Sequence, residues 1–336
     1  MQSRRHDHPP SAASDRGSDD PPELCRRTLL LAAGAGAGLG LLGGPAARAG
    51  LAPLPVEEGA PGHYLHYGLH QMADRENRGD IANCGFVVGS DAVAVIDSGG
   101  SPTVGARLRA SVERTTDRPI RYLVNTHMHP DHIFGNGAFA DTGAQLVAHA
   151  RLESALKART EAYFAHLRET VGADALERAR MLRTDVGVSD TAVLDLGDRR
   201  LQVQAWPTAH TNNDLSVHDP AGGTVWAGDL AFRTRMPSLD GSALGWIEVL
   251  QDLRRLPAEL VVPGHGQVAD GWPAALDDLT RYLSALVADV RAVVQRFGTI
   301  AEAIETAAQD ERARWRLFDV YHGRNVTTAF SELEWA

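Results

Sequence analysis

Eight consecutive residues carry the densest chemistry in the chain: Asn125-Thr126-His127-Met128-His129-Pro130-Asp131-His132. Three histidines and one aspartate fall within six of those positions. Imidazole nitrogen and carboxylate oxygen are the ligands zinc takes when thiolates are absent. The two-residue step places His127 and His129 on one side of an extended segment. Pro130 then bends the chain before Asp131 and His132. One short loop can thus face two metal centres a few ångströms apart, but it supplies too few ligands for both. Three further residues are candidates: His210 after Trp206-Pro207-Thr208-Ala209, Asp229 after Val225-Trp226-Ala227-Gly228, and His265 within Val262-Pro263-Gly264-His265-Gly266. Each is expected just after a strand, beside Gly, Pro or small residues that let the backbone turn and the side chain reach inward.

The elements that must position these residues can be read from the apolar pattern. Cys84 to Val88 and Val93 to Ile96 read as strands of a hairpin turning at Gly89-Ser90-Asp91. Thr103 to Thr116 reads as a helix, and Arg121 to Val124 as a buried strand running into His127. His63 to Met72 is expected to be an edge strand, and Leu51 to Gly62 to be loose. Arg151 to Arg183, rich in Ala, Leu, Glu and Arg, predicts one or two helices. Four strands are expected at Ala192–Leu196, Leu201–Trp206, Leu215–His218 and Thr224–Trp226, then a helix at Leu244–Leu256 and a strand at Leu260–Val262. Leu276 to Phe297 carries a narrow apolar stripe on one long helix. It fits a helix laid over a sheet better than a dimer seam. Residues 299–336 add two short helical patterns. Two mixed sheets packed together and flanked by helices fit this order.

Composition sets the outer bounds. The chain has 336 residues, 43% hydrophobic and 23% charged, enough for a sizeable core and against wholesale disorder. A net charge of -10 argues against a broad nucleic-acid-binding face. Two cysteines cannot build a disulfide framework or a four-cysteine zinc site, and Cys84 has no base pattern near it. His149, His166, His218 and His322 lack ligand partners nearby in sequence and read as surface or locally satisfied histidines. Asp97, ending a strand, is expected to buttress the ligand loop by hydrogen bonding. The first 49 residues read as an export signal. Arg26-Arg27 precede the apolar run Leu29 to Leu42, which is too short and Gly-rich to span a bilayer, and Ala47-Arg48-Ala49 follows as a small-residue cleavage site. The paired arginines are of the twin-arginine type, so a periplasmic or secreted protein is expected, with no stable membrane span after processing. The expected organisation is a signal at 1–49, a loose linker at 50–62, a catalytic domain at 63–270, and C-terminal helices at 271–336 packing on that domain.

His127-x-His129-x-Asp131-His132, followed in order by His210, Asp229 and His265, resembles the metallo-β-lactamase fold superfamily, from about Asn83 to His265. The resemblance implies an α/β (α+β) fold, an αββα four-layer sandwich with the metals at one edge, here with extra C-terminal helices. It implies that His127, His129 and His210 hold one ion, that Asp131, His132 and His265 hold the other, and that Asp229 bridges. His129 departs from the diiron electron-transfer members, which have Glu there. Asp229, where the best-known zinc β-lactamases have Cys, points toward dinuclear hydrolases of the glyoxalase II type, yet no glutathione-binding tail is recognisable in 266–336. The segments Thr208 to Leu215, Trp226 to Leu230, Pro237 to Ser242 with Trp246, and Gly323 to Thr327 resemble the quinoprotein relay system zinc metallohydrolases, exported proteins associated with quinone-cofactor dehydrogenases.

That resemblance implies an exported dinuclear zinc metallohydrolase whose metal-bridging hydroxide attacks an ester, thioester, lactone or amide. Two Zn2+ are the expected cofactors, with iron as the alternative metal. Asp131 would anchor one ion and orient the hydroxide as the catalytic carboxylate. Two zinc ions outweigh Asp131, Asp229 and the hydroxide, so a small anionic substrate is expected. Arg233 and Arg235 are candidates to bind that anion, the loop Met236 to Ser242 to wall the pocket, and Arg151 to Arg183 to pack or to form a lid. A periplasmic quinoprotein (PQQ) dehydrogenase is the candidate partner. The rival readings are a class B-type β-lactamase, an iron-dependent persulfide dioxygenase-like oxidoreductase, and a metal-retaining, non-catalytic partner of such a dehydrogenase.

Overall fold

The computed structural model describes residues 51–335; the export signal read over 1–49 lies outside them. Short apolar runs bounded by turns open the described chain. β1 (Glu57–Ala60), β2 (His63–His66), β3 (Cys84–Val88) and β4 (Val93–Ile96) form an antiparallel meander. α1 (Pro102–Thr115) crosses to β5 (Ile120–Val124), which runs parallel to β4. The one-turn α2 (Pro130–Ile133) leads to β6 (Gln145–His149), and α3 (Leu152–Lys157), α4 (Thr160–Thr170) and α5 (Ala173–Arg178) lead to β7 (Val186–Val188). β6 and β7 extend the parallel half, so among the described residues this sheet has seven strands in chain order.

The second sheet is built from β8 (Thr191–Asp195), β9 (Arg200–Ala205), β10 (Leu215–Asp219) and β11 (Thr224–Phe232), then, after α6 (Ala243–Leu253), from β12 (Leu260–His265) and β13 (Ala269–Asp270). Its order is β13-β12-β11-β10-β9-β8, with only the β11–β12 pair parallel. α7 (Asp277–Gln295), α8 (Ile300–Thr306) and α9 (Phe318–Glu334) close the chain.

Alternation along the strands makes the layers. Val87, Ala94 and Ile96 point to the interior between the sheets, where they meet Leu201, Val217 and Trp226. Their neighbours Phe86, Val93 and Val95 point the other way, onto Val104, Leu108 and Val112 of α1. On the second sheet Val225, Ala227 and Val261 face outward onto α6, α7 and α9. The central strands are covered on both faces, so they read as continuous apolar runs. Each fully buried aliphatic side chain contributes roughly 1.5–3 kcal/mol. This is the αββα sandwich, and the C-terminal helices belong to its second outer layer.

Several expectations are revised. The segment expected to be a loose linker holds β1, and Leu54 is 2% exposed, its N–H donating to the Arg107 carbonyl at 3.2 Å. β2 ends at His66 and is internal, because β1 takes the edge. β6 and β7 are additional to the expected strands, and residues 151–183 form three helices rather than one or two. β11 runs to Phe232 and β12 to His265, so Asp229 and His265 lie on strands rather than after them. The apolar stripe of α7 is covered within the chain. Leu279, Leu283, Leu286 and Val290 are buried in one cluster with Trp246 of α6 and Val326 and Phe330 of α9. No helix among the described residues is long and apolar enough to cross a membrane.

Candidate metal centre

The ligand loop leaves the end of β5 and enters α2, with Pro130 in the first helical turn, where its missing N–H costs nothing. Asp97, at the end of β4 with φ of 54°, holds this loop in place. Its carboxylate accepts from the Thr126 N–H at 2.8 Å, from Thr126 Oγ1 at 2.7 Å and from His132 Nδ1 at 2.8 Å. The buttressing role expected of Asp97 is therefore observed. On the second sheet Gly228, with φ of 52°, turns the backbone inside β11 just before Asp229. Gly264 lets β12 pass close by: a Cβ there would lie 1.9 Å from Asp229 Oδ1.

Each of the five histidines has one ring nitrogen tied outward. His210 Nδ1 donates to the Ser238 carbonyl at 2.7 Å, and His265 Nδ1 to the Ile81 carbonyl at 2.8 Å. His132 Nδ1 is held by Asp97, and His129 Nε2 lies 3.2 Å from Asp240 Oδ2. His127 Nδ1 lies 3.1 Å from Thr126 Oγ1, whose own proton goes to Asp97. The outer partners therefore orient the rings, and the opposite nitrogens point inward. His127, His129, His210 and Asp229 form one group of converging ligand atoms, and Asp131, His132 and His265 a second. Asp229 stands between them. Its Oδ2 lies 3.6 Å from His127 Nε2, 3.3 Å from His210 Nε2 and 3.5 Å from His265 Nε2, and its Oδ1 lies 3.2 Å from His132 Nε2. Asp131 Oδ2 is 3.3 Å from His265 Nε2.

This convergence fits cations and little else. His127 Nε2, His132 Nε2 and Asp229 Oδ1 are buried with no hydrogen-bond partner. His129 Nδ1 and His210 Nε2 face each other at 2.9 Å. With both outer nitrogens donating, two neutral rings would oppose lone pair to lone pair unless a proton or a metal ion intervened. Burial pushes His127 well below its usual range, and the charge on His132 adds to this; burial also pushes His210 down to about 3. Burial works against ionisation of Asp131 and Asp229 as well, but the surrounding imidazoles outweigh it and hold both below the ordinary carboxylate range. Burial also works against a charge on His132 and His265, but the carboxylates, Asp229 foremost, outweigh it and hold both imidazoles above their usual range. Ionised carboxylates and, at His127 and His210, neutral imidazoles are the ligand forms that divalent metals require, and an ion entering the second group must displace the protons of His132 and His265.

A cavity of about 450 Å³ opens over Asp131, Asp229, His129 and His265. Met236, Ser238, Leu239 and Asp240 line it, as expected of that loop, and α4 lines it from within the 151–183 insert. The two arginines expected to bind an anion fare differently. Arg233 is absent from the lining, and its guanidinium donates to the carbonyls of Gln267 and Val268. Arg235 does line the cavity but is 2% exposed and donates to the Gln71 carbonyl and the Tyr321 hydroxyl. His149, His218 and His322 have local backbone partners, whereas His166 lines the cavity. Sequence reasoning missed the functional placement of Asp240, Arg159, Tyr163, Tyr321 and Arg324. Asp240 lies in the loop expected to wall the pocket, Arg159 and Tyr163 in the segment expected to pack or to form a lid, and Arg324 in the Gly323 to Thr327 segment; Tyr321 gave no signal.

Two mixed sheets between helical layers, with a His/Asp cluster where strand ends meet, define a metal-dependent hydrolase fold. The family model of the metallo-beta-lactamase superfamily matches residues 77–265, and the chain belongs to that superfamily. It is therefore an enzyme of the metal-dependent hydrolase class, with a donor set suited to divalent ions. A metallo-beta-lactamase from Pontibacter korlensis is similar in structure, with TM-score 0.56 and 19% identity over 69% of this chain and 99% of that one. The stereoselective inverting sec-alkylsulfatase Pisa1 from Pseudomonas sp. has TM-score 0.67 and 16% identity, covering 83% of this chain but only 50% of its own length. A metallo-beta-lactamase family protein from Thermus thermophilus has TM-score 0.59 and 18% identity over 82% of this chain and 93% of that one. At such identities the likeness is one of fold. No curated protein sequence matches the chain.

Proposed function

We propose that the protein is an exported dinuclear zinc hydrolase acting on an ester, thioester, lactone or amide, and that it works beside a periplasmic quinoprotein dehydrogenase. One observation carries the hydrolase reading: five imidazoles, each tied outward at one nitrogen, turn the other toward Asp131 and Asp229 at the floor of a cavity. His127, His129 and His210 would hold one ion, Asp131, His132 and His265 the other, with Asp229 reaching both. When bound, such a pair supplies Lewis acidity and lowers the pKa of a water toward ~7. Asp131, ionised at neutral pH and bordering the cavity, accepts a hydrogen bond from the attacking water and aligns it with the substrate carbonyl. Phe232, Met236 and Leu239 on the cavity wall limit access of bulk water. Arg26-Arg27 before the Leu/Ala/Gly run support export, and the Gly323-Arg324-Asn325-Val326-Thr327 tail supports the dehydrogenase association.

Metal analysis combined with a substrate panel tests this reading. Protein purified without added metal is expected to carry two zinc ions and to turn over an ester, thioester or lactone. Asp131→Asn is expected to lower kcat by roughly 10²–10⁴-fold, the usual worth of a positioned acid–base group. One equivalent of iron with persulfide oxidation would overturn the reading. Turnover of a chromogenic cephalosporin alone would replace it with a β-lactamase, and the alkylsulfatase likeness gives a sec-alkyl sulfate a place in the panel. Recovery of a quinoprotein dehydrogenase with the tagged protein from periplasm checks the partner.

A further inference from the structure

One cation and one apolar wall of the cavity have no task in this reading. Arg159, Arg235 and Arg324 all line the cavity. Arg235 is committed to the Gln71 carbonyl at 2.8 Å and the Tyr321 hydroxyl at 2.7 Å. Arg159 faces Asp240 Oδ1 at 3.5 Å. Arg324, on α9 and exposed, has no ion pair or hydrogen bond among the described residues. Its charge is felt by the Tyr163 hydroxyl of α4, which burial holds above its usual range. α9 and α4 thus bring a free guanidinium to the same cavity as the metal ligands.

The second observation is the wall itself. Met72 and, from α4, Ala162 and the ring of Tyr163 line the cavity with accessible apolar surface, and Phe134, Leu167 and Val171 are packed almost fully buried behind α4. Catalysis at Asp131 and Asp229 does not need this lobe. Ligand cavities of this size are largely apolar, with a few polar groups that fix orientation. Here the apolar lobe and the unpaired arginine are those two parts.

Building on the hydrolase reading, we propose that the substrate is an amphipathic anion. It is an ester-type compound whose apolar acyl portion lies against Met72, Ala162 and Tyr163, and whose separate carboxylate pairs with Arg324. The reaction is hydrolysis: water adds its oxygen to the acyl carbon, the acyl–oxygen bond breaks, and the leaving alcohol takes the proton. Arg324 contributes to recognition and takes no part in bond breaking.

Three p-nitrophenyl esters assayed on the metal-loaded protein test the proposal: the acetate, the octanoate and the monoester of suberate. The last two have eight-carbon acyl chains and differ by the terminal carboxylate. The expected kcat/KM rises at least about tenfold from acetate to octanoate, and KM falls about tenfold further for the suberate ester. Arg324→Gln is expected to raise KM for the suberate ester about tenfold, to leave kcat unchanged, and to leave the octanoate within about twofold. Arg324→Lys should restore most of the loss. Ala162→Asp, at an exposed position of α4, should flatten the chain-length series. A flat series in the wild type, or equal effects of Arg324→Gln on both eight-carbon esters, overturns the proposal. Calorimetric titration with suberate and octanoate separates this failure from that of the hydrolase reading. If no ester is hydrolysed, tighter suberate binding that Arg324→Gln abolishes still upholds the subsite, and equal binding by wild type and variant removes it.

Discussion

An imidazole is a useful ligand only when its other nitrogen is fixed, so the residues behind the ligands matter nearly as much as the ligands. Asp240 is the most testable of these because it is partly exposed and tied to little besides His129 and Arg159. Asp240→Ala is expected to weaken metal binding at the His127/His129/His210 group by about 10–100-fold while the fold persists. Competition with a chromophoric chelator measures this, and an unchanged affinity would show that His129 needs no such support. Gly264 acts through space alone. In Gly264→Ala the new methyl group would stand 1.9 Å from Asp229 Oδ1, 2.8 Å from the Gly228 carbonyl carbon and 2.9 Å from the Asp229 nitrogen, so it must displace that carboxylate and shift β12 locally from β11. Bound metal and turnover should both fall by more than tenfold with the far-UV circular dichroism unchanged. The ligands themselves were legible because their types and spacing are specified locally. Asp240 and Arg324 were not, because each becomes functional only when the fold carries it to the cavity, 111 residues from His129 along the chain in the case of Asp240.

At the scale of elements, a buried polar link joins the two sheets. His63 on β2 places Nε2 2.9 Å from Asp219 Oδ2 on β10 and accepts at Nδ1 from the Trp226 indole of β11 at 3.0 Å, while Arg199 reaches the same Asp219 oxygen at 2.8 Å. Burial opposes ionisation of Asp219, but the His63 hydrogen bond and the Arg199 charge outweigh it and hold the folded pKa below the usual carboxylate range. Removing one member of such a pair strands its partners, so Asp219→Ala should cost about 3–5 kcal/mol. The pH dependence follows from the sign of the shift. With the folded pKa below the unfolded value of about 3.9, the contribution is complete above that value and is lost as pH falls through the folded pKa. Urea midpoints of wild type and Asp219→Asn should therefore differ most at neutral pH and approach each other below about pH 4; parallel curves would refute the link. The central strands and α1 were legible because both sheet faces impose plain patterns. β1 was hidden because its burial pattern is exposed on nearly every residue and its stability comes from pairing with β2. β6 was hidden because its apolar run is short, although Asp141-Thr142-Gly143 just before it is a turn sequence with Gly143 at φ of 78°.

The whole molecule places its ligands on opposite sides of the sheet–sheet seam. His127, His129, Asp131 and His132 come from the loop after β5 in the first sheet, and His210, Asp229 and His265 from the second. α9 clamps the loop behind them. Asn325 accepts from the Leu239 N–H at 2.9 Å and donates to the Pro237 carbonyl at 2.8 Å, so the Ser238 carbonyl stays aimed at His210. Ions held there would cross-link the two halves, and their binding free energy would add to folding stability. At a free metal concentration of 100 times Kd each ion stabilises by about 2.7 kcal/mol, which for a domain of this size corresponds to roughly 5–10 °C in Tm. Dialysis against a chelator should lower Tm by that order, and readdition of zinc should restore it. Ions confined to one sheet predict a different pattern: His127→Ala alone would then abolish the shift, and His265→Ala would leave it whole. Bridging across the seam predicts that either substitution removes part of the shift, because each group loses one of its ligands while Asp229 still faces both.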